Sequence, residues 1–477
     1  MRCLRADTLA LLVILPLLIG QSAAQPPAQP GPLLPALPVL PPLADTNGML
    51  LPGVQQWIDR VVPPPPIAPM PPPEPQGETN GLVPRLAALH QAVLPAPAGD
   101  PIFDRWPAGL AGFAPGAVIE VRDVTASAAP LVVVPIRQAV LFKYRTTDAH
   151  GRPSFATATL VIPAAASPVP GARPVLVNNL PIDALGRRCT AGYTLAHGIS
   201  VDSAVTDFIP PSTHLAASRG YAVLIPDHEG PLMAYAEPYV AGHAVLDAVR
   251  AVRSWRPAEF GASRFAMTGY SGGAIATHGA VKLIESYAPE LAPSLAGAAL
   301  GGVPADYEIL SRSMDGNLAS GVFMAAVFGI ARERPELLAR MNHLAQWVST
   351  SPIKDQCISV LAIPGVLHLP IDIAANIADP LRSALAHEIY AVTRMSGLAS
   401  ATPLYIYHGE QEFWIPAEGA RNLYREQCAL GVTAVYRVTA VYRSVPGEHV
   451  IAAGLGYPEA MIWLDERLRG IPAHSEC

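Results

Sequence analysis

Beyond residue 101 the chain alternates short apolar runs with segments whose apolar residues recur every three or four positions. The runs 173–179, 221–227, 264–269, 296–303 and 403–407 are brief, apolar and bounded by Gly, Pro or Asp, which predicts buried strands. The segments 243–255, 273–287, 417–428 and 457–469 predict helices. A similar period over 82–94 predicts a helix that docks on the domain after it. Strand and helix in alternation call for a mostly parallel sheet covered on both faces, a three-layer α/β architecture.

Residues 306–398 break that rhythm. Positions 316–331 are uncharged for 16 residues, and 357–371 form another uncharged run interrupted by Pro364 and Pro370. Both are shorter than a membrane span. A helix apolar on every side has to be buried all round or meet something apolar. This predicts an inserted, mainly helical cap over the sheet at 305–397, acting as a second small core or as a lipid-facing lid. The domain then occupies 97–304 and 398–477.

The N-terminus has a different pattern. Arg2 and Arg5 precede an uncharged apolar stretch from Leu9 to Ile19 and then Ser22-Ala23-Ala24. This predicts a secretory signal peptide over 1–24, because the apolar core is too short to cross a bilayer as a stable helix. The mature chain would then hold no transmembrane segment. Residues 25–76 carry 18 of the 52 prolines. At that density the backbone lacks donors for helix or sheet, so the extension 25–96 is expected to begin as an extended spacer without fixed tertiary structure. It would serve as a plain linker or as a stalk at the cell surface.

Composition narrows the function. The 477 residues are 51% hydrophobic and 15% charged, with net charge −6 and 32 Lys plus Arg against 38 Asp plus Glu. That suits a folded core and excludes a disordered charged tail. It also excludes nucleic acid as a partner, since no basic run offers a phosphate footprint. No spaced His, Cys and carboxylate cluster suggests a metal, and no cofactor is called for. Nothing in the pattern sets an oligomeric state. Of five cysteines, Cys3 would leave with the leader. Cys189, Cys357, Cys428 and Cys477 form an even set that two disulfides would satisfy after export, with three pairings open.

The chemistry gathers around Gly269-Tyr270-Ser271-Gly272-Gly273. This G-x-S-x-G pattern lies between a predicted strand and a predicted helix, the context a nucleophile elbow requires. Ser271 is the candidate nucleophile, and the N–H of Gly272 at the helix start is a candidate oxyanion donor. In this architecture the order is serine, acid, histidine. His449, in a turn ahead of the C-terminal helix, is the candidate base and His408 its rival. Glu412 or Glu410 is the candidate acid, with Asp379 in the cap a poorer choice. His278 and His243 lie on helix faces and suit packing better than catalysis.

Further motifs follow in order: Tyr144-Arg145-Thr146-Thr147, Asp227-His228-Glu229-Gly230, Glu285-Ser286-Tyr287-Ala288-Pro289-Glu290-Leu291, Arg425-Glu426-Gln427-Cys428 and Glu448-His449. With the elbow, these resemble the secretory lipase family from residue 101 to residue 477. The resemblance implies an α/β-hydrolase fold, with Ser271 as nucleophile and His449 as base. It places the acid four residues before the proline of an Ile-Pro pair, which here is Glu412 ahead of Pro416, where the family carries aspartate. It also implies Asp183, six residues before Cys189, as the second oxyanion contributor, and the pairings Cys189–Cys357 and Cys428–Cys477. Asp227-His228-Glu229-Gly230 is expected to be a structural turn beside the elbow.

The activity so implied is that of a secreted serine carboxylic-ester hydrolase acting on lipid or other esters at a lipid–water interface. Acyl transfer through the same acyl-enzyme, or a catalytically silent surface-binding protein on this scaffold, are the alternatives. A tandem repeat, Val432-Thr433-Ala434-Val435-Tyr436-Arg437 followed at once by the same six residues to Arg443, precedes the His449 turn. Six is even, so a strand lengthened by the repeat would keep its two faces.

Overall fold

The computed structural model describes residues 53–67, 82–201, 203, 211–441 and 447–477. The expected signal peptide, the spacer at 25–52 and 68–81, and residues 442–446, which begin with the last two of the tandem repeat, lie outside the described residues.

Alternation at the two-residue period builds the sheet. In β4 (Val175–Asn179), Val175 and Val177 pack into one core layer while Leu176 packs into the other. In β6 (Phe265–Tyr270), Phe265 and Met267 share the first layer and Ala266 the second. These strands are apolar on both faces because both faces are covered. Among the described residues the sheet has nine strands in the order β1-β2-β3-β5-β4-β6-β7-β8-β9. The others are β1 (Val118–Asp123), β2 (Ile136–Thr147), β3 (Pro153–Pro163), β5 (Ala222–Pro226), β7 (Leu295–Gly301), β8 (Leu404–Gly409) and β9 (Ala434–Thr439). From β5 to β9 every pairing is parallel. The pairs among β1, β2, β3 and β5 are antiparallel.

Helices Pro238–Trp255 and Gly272–Tyr287 cover one face of the sheet. Helices Ala191–His197, Pro211–Ser218 and Glu448–Leu468 cover the other. The architecture is the expected α/β-hydrolase fold. Between β7 and β8 the chain leaves the sheet to form helices Tyr307–Met314, Ser320–Glu333, His343–Thr350 and Ala384–Arg394, with several one-turn helices in the long stretch between the last two. Apolar side chains of the first, second and fourth of these make a separate core cluster that includes Phe323, Phe328, Leu338 and Ile389. Among the described residues no helix is long and apolar enough to cross a membrane.

Three expectations are corrected. The proline-rich segment is not structureless throughout: Val54–Val61 is a helix with Val54, Gln55 and Ile58 buried. That stretch holds no proline itself, and the prolines lie on either side of it. The C-terminal helix starts at Glu448, nine residues before the apolar period suggests, and runs through Pro458. The tandem repeat does not extend a strand along its length, for β9 closes at Thr439, two residues into the second copy. The predicted helix at 82–94 forms as Pro84–Val93 and docks on the cap, where Leu89 and Val93 join the cap cluster.

Candidate active site

The elbow is built by close approach. A Cβ on Gly269 would fall 2.1 Å from the carbonyl oxygen of Gly273, and one on Gly273 would fall 2.0 Å from that of Asn179. Only glycine lets β6 turn this sharply into the helix Gly272–Tyr287. Ser271, at the turn, has φ 54° and ψ −124°. A non-glycine residue rarely holds this conformation, and the strain lifts the side chain clear of the sheet edge. The Ser271 N–H bonds the carbonyl of Gly301 on β7 at 3.0 Å, which fixes the turn. The N–H of Gly272 belongs to the first turn of the helix, where amides have no intrahelical acceptor and the dipole favours negative charge.

His449 lies in the first turn of the C-terminal helix rather than in a turn ahead of it. Its Nδ1 stands 2.5 Å from Glu412 Oε1, and its Nε2 is buried with no hydrogen-bond partner among the described residues. The hydroxyl of Tyr270, next to Ser271, donates to the His449 carbonyl at 2.6 Å, and the two rings lie 4.8 Å apart. Glu412 is buried and Glu410 exposed. Asp379 is half-exposed and sits 3.8 Å from Arg382. His408 is wholly buried, and its Nε2–H donates to the carbonyl of Ile415 at 2.6 Å. It therefore shapes the turn that carries Glu412, with Glu412 Oε2 3.6 Å away. Burial holds both His408 and His278 below the ordinary histidine pKa. His243 packs against Tyr287 with ring centroids 4.1 Å apart.

Asp183 meets the elbow from the loop after β4. A Cβ on Gly272 would fall 1.7 Å from its Oδ1, so the carboxyl lies directly against the first turn of the helix. The residue has φ 49°. Burial pushes its pKa up to about 6, against the pull of His449 and of a hydrogen bond from Tyr235. The Asp227–Gly230 turn holds this loop in place. His228 donates Nε2–H to the Leu180 carbonyl at 2.8 Å, and Glu229 Oε1 accepts from the Ala184 N–H at 3.4 Å. Asp227 accepts from Thr157 Oγ1 at 2.6 Å and from the Gly192 N–H at 2.8 Å. Burial and the neighbouring Asp183 raise Glu229 well above the carboxylate range.

Two residues at the site went unnoticed in the sequence. Tyr235 lines the same cavity as Asp183. Arg332, wholly buried in the cap, donates to the carbonyls of Leu185 (2.7 Å), Leu232 (3.0 Å), Met233 (3.1 Å) and Lys354 (2.7 Å). It thereby ties the Asp183 loop and the Tyr235 loop to the cap. No local pattern marks either residue, because each acts through partners far away in sequence. The disulfide Cys189–Cys357 joins the same loop to the cap, and Cys428–Cys477 pins the C-terminus to the helix Ala417–Ala429.

Ser271, Gly272, Asp183 and His449 open into one cavity of about 360 Å³. The cap supplies most of the remaining wall, almost all of it apolar, with Phe323, Val327, Met341 and Ile371 prominent, and Tyr235, Ile275 and Trp414 complete it from outside the cap. The uncharged stretch at 316–331 thus packs into the cap core on one side and faces this cavity on another.

Comparison with known proteins bears on this geometry. The model of a family described as secretory lipase matches residues 208–476, more than half of the chain. A probable inactive lipase of Mycobacterium tuberculosis is 28% identical over 391 residues, covering 80% of this chain and 85% of that one. The trichothecene C-3 esterase of Fusarium sporotrichioides is 28% identical over 405 residues, covering 81% and 87%. Among solved structures, Candida antarctica lipase A in its closed state superposes with a TM-score of 0.68 at 25% identity, covering 81% of this chain and 89% of that one.

Proposed function

Because the chain belongs to the secretory lipase family, we propose that it is an exported serine carboxylic-ester hydrolase of the lipase type, cleaving acylglycerols or other lipid esters through an acyl-enzyme on Ser271. One observation carries the reading: Ser271, strained into the elbow, opens with an acid-backed histidine into an apolar cavity.

The steps follow from the groups present. Ser271 Oγ attacks the ester carbonyl carbon while its proton passes to His449 Nε2, the ring nitrogen turned away from Glu412. Glu412 at Nδ1 holds the tautomer that leaves Nε2 free and stabilises the imidazolium. Negative charge on the carbonyl oxygen meets the Gly272 N–H and a donor from Asp183, either its carboxyl when protonated or its backbone N–H. The tetrahedral intermediate expels the alcohol, which takes the proton from His449. Water then attacks the acyl-enzyme by the same route in reverse. Export suits the two disulfides, which persist in an oxidising compartment.

A second reading, a catalytically silent protein, has one specific support in the similarity to a probable inactive lipase. The ion pair of His449 with Glu412, and the opening of Ser271 and His449 into one cavity, favour catalysis. Hydrolysis of p-nitrophenyl esters from acetate to palmitate, with Ser271→Ala beside the wild type, separates the two. Activity that rises with chain length and is lost in the variant supports the lipase reading. Activity in neither protein, on any ester, favours the silent one. Activity undiminished in Ser271→Ala removes the acyl-enzyme.

A further inference from the structure

The helix Val54–Val61 rests on two segments of the cap, the helix His343–Thr350 and the turn Ile371–Ala374. Those two segments are stitched into one panel. The Asn342 N–H bonds the Ala374 carbonyl at 3.0 Å, and the Asn342 side chain donates to the carbonyls of Ile373 (2.7 Å) and Ala375 (3.1 Å). On its inner side the panel presents Met341, Ala345, Ile371 and Ala374 to the cavity. On its outer side the N-terminal helix grips it through polar contacts. Asp59 Oδ1 accepts from the His343 N–H at 2.7 Å, at the first turn of the panel helix, where free amides favour a carboxylate. The His343 ring donates Nδ1–H to the Val62 carbonyl at 2.7 Å, and Trp347 donates its indole N–H to the Pro63 carbonyl at 2.8 Å. Ile58 is only 4% exposed.

We propose that the helix Val54–Val61 is a specificity determinant: by clamping the outside of this panel it fixes the wall against which a long acyl chain packs. The proposal rests on the ester-hydrolase reading. A butyryl group bound at Ser271 ends near the elbow, whereas a palmitoyl group must run on along the cap. Dispersion is steep enough that a gap of about 0.5–1 Å forfeits roughly a quarter to a half of each contact. Loosening the panel therefore weakens long chains and spares short ones.

The test uses the full chain with two substitutions remote from Ser271. Ile58→Glu places a carboxylate on the buried face of the helix and releases it. Asp59→Asn keeps the shape and removes the charge, and it carries the test should Ile58→Glu fail to fold. Hydrogen exchange at amides 54–61 reports release. The kcat/KM ratio of p-nitrophenyl palmitate to butyrate should fall about tenfold in Ile58→Glu, equivalent to about 1.4 kcal/mol, chiefly through KM. It should fall about threefold in Asp59→Asn, with butyrate turnover unchanged in both. An equal loss on both esters, an unchanged ratio in a variant whose helix has been released, or a gain on palmitate overturns the proposal. If the wild type cleaves neither ester, the ester-hydrolase reading fails by itself. Calorimetric binding of palmitate then decides the clamp: weaker binding in the variants supports it, and equal binding overturns it.

Discussion

Shortening the acid discriminates most sharply among accounts of the site. Glu412 Oε1 stands 2.5 Å from His449 Nδ1, and its turn is held by the bond from His408 to the Ile415 carbonyl. The backbone is therefore not free to follow a shorter side chain. Glu412→Asp withdraws the carboxylate by one carbon–carbon bond, about 1.5 Å. At an effective dielectric constant of about 20, the attraction to an imidazolium falls from about 6.6 kcal/mol at 2.5 Å to about 4.2 kcal/mol at about 4 Å. The imidazolium exists in the transition state and not before it, so the loss of about 2.5 kcal/mol appears as roughly a 70-fold fall in kcat with KM little changed. Glu412→Gln keeps the reach but loses the charge and the tautomer control, at a cost of about 10⁴. The assay is kcat for p-nitrophenyl butyrate per active site, with sites counted by phosphonate titration. An aspartate variant as fast as the wild type, or a glutamine variant within roughly tenfold of it, would refute the role given to Glu412.

Other predictions follow from the same neighbourhood. Gly272→Ala puts a methyl 1.7 Å from Asp183 Oδ1, so kcat should drop by about 10²–10³, the loss of one oxyanion donor, while the circular dichroism spectrum is unchanged. If the donor is the Asp183 carboxyl rather than its backbone N–H, it loses that proton as pH rises, its pKa being pushed up to about 6 by burial. The wild-type kcat should therefore decline on the alkaline side of about pH 6, and Asp183→Asn, whose amide donates at every pH, should lack that limb in a pH–rate profile. Burial first, and then Asp148, raise Glu333 to about 8. Between the ordinary value near 4.5 and about 8 the folded chain keeps a proton that the unfolded chain has lost, so stability falls as pH rises across that window. Urea titrations at pH 5 and pH 8 should show Glu333→Gln escaping this fall, which is roughly 5 kcal/mol at most.

The central strands and the elbow were legible because burial on both faces writes a continuous apolar run, and because the glycines of the turn are fixed by contacts within a few residues. The antiparallel strands β1 and β2 escaped notice. Their sequences interleave Arg122, Arg137, Gln138 and Lys143 with apolar residues, and nothing local tells such a mixture from a loop. The helix Val54–Val61 was hidden by counting prolines over a window wider than the proline-free stretch within it. The start of the C-terminal helix was obscured by Gly454, Gly456 and Pro458, yet Gly456 is there for packing: a Cβ on it would fall 2.4 Å from the ring of Tyr407 on β8. The order of motifs pointed to Ser271, Glu412 and His449. The supports of the oxyanion loop, Arg332 and Tyr235, depend on residues 50 to 150 positions away, and only the folded chain brings them together.

The central claim is that Ser271 becomes covalently acylated with His449 as its base. Intact mass after incubation with a p-nitrophenyl alkylphosphonate, followed by peptide mapping, tests it most directly. The account predicts one adduct per chain, on Ser271, formed with release of p-nitrophenol. The adduct should be absent in Ser271→Ala and form far more slowly in His449→Ala. An adduct on another residue, or none on a protein that still hydrolyses esters, would contradict it.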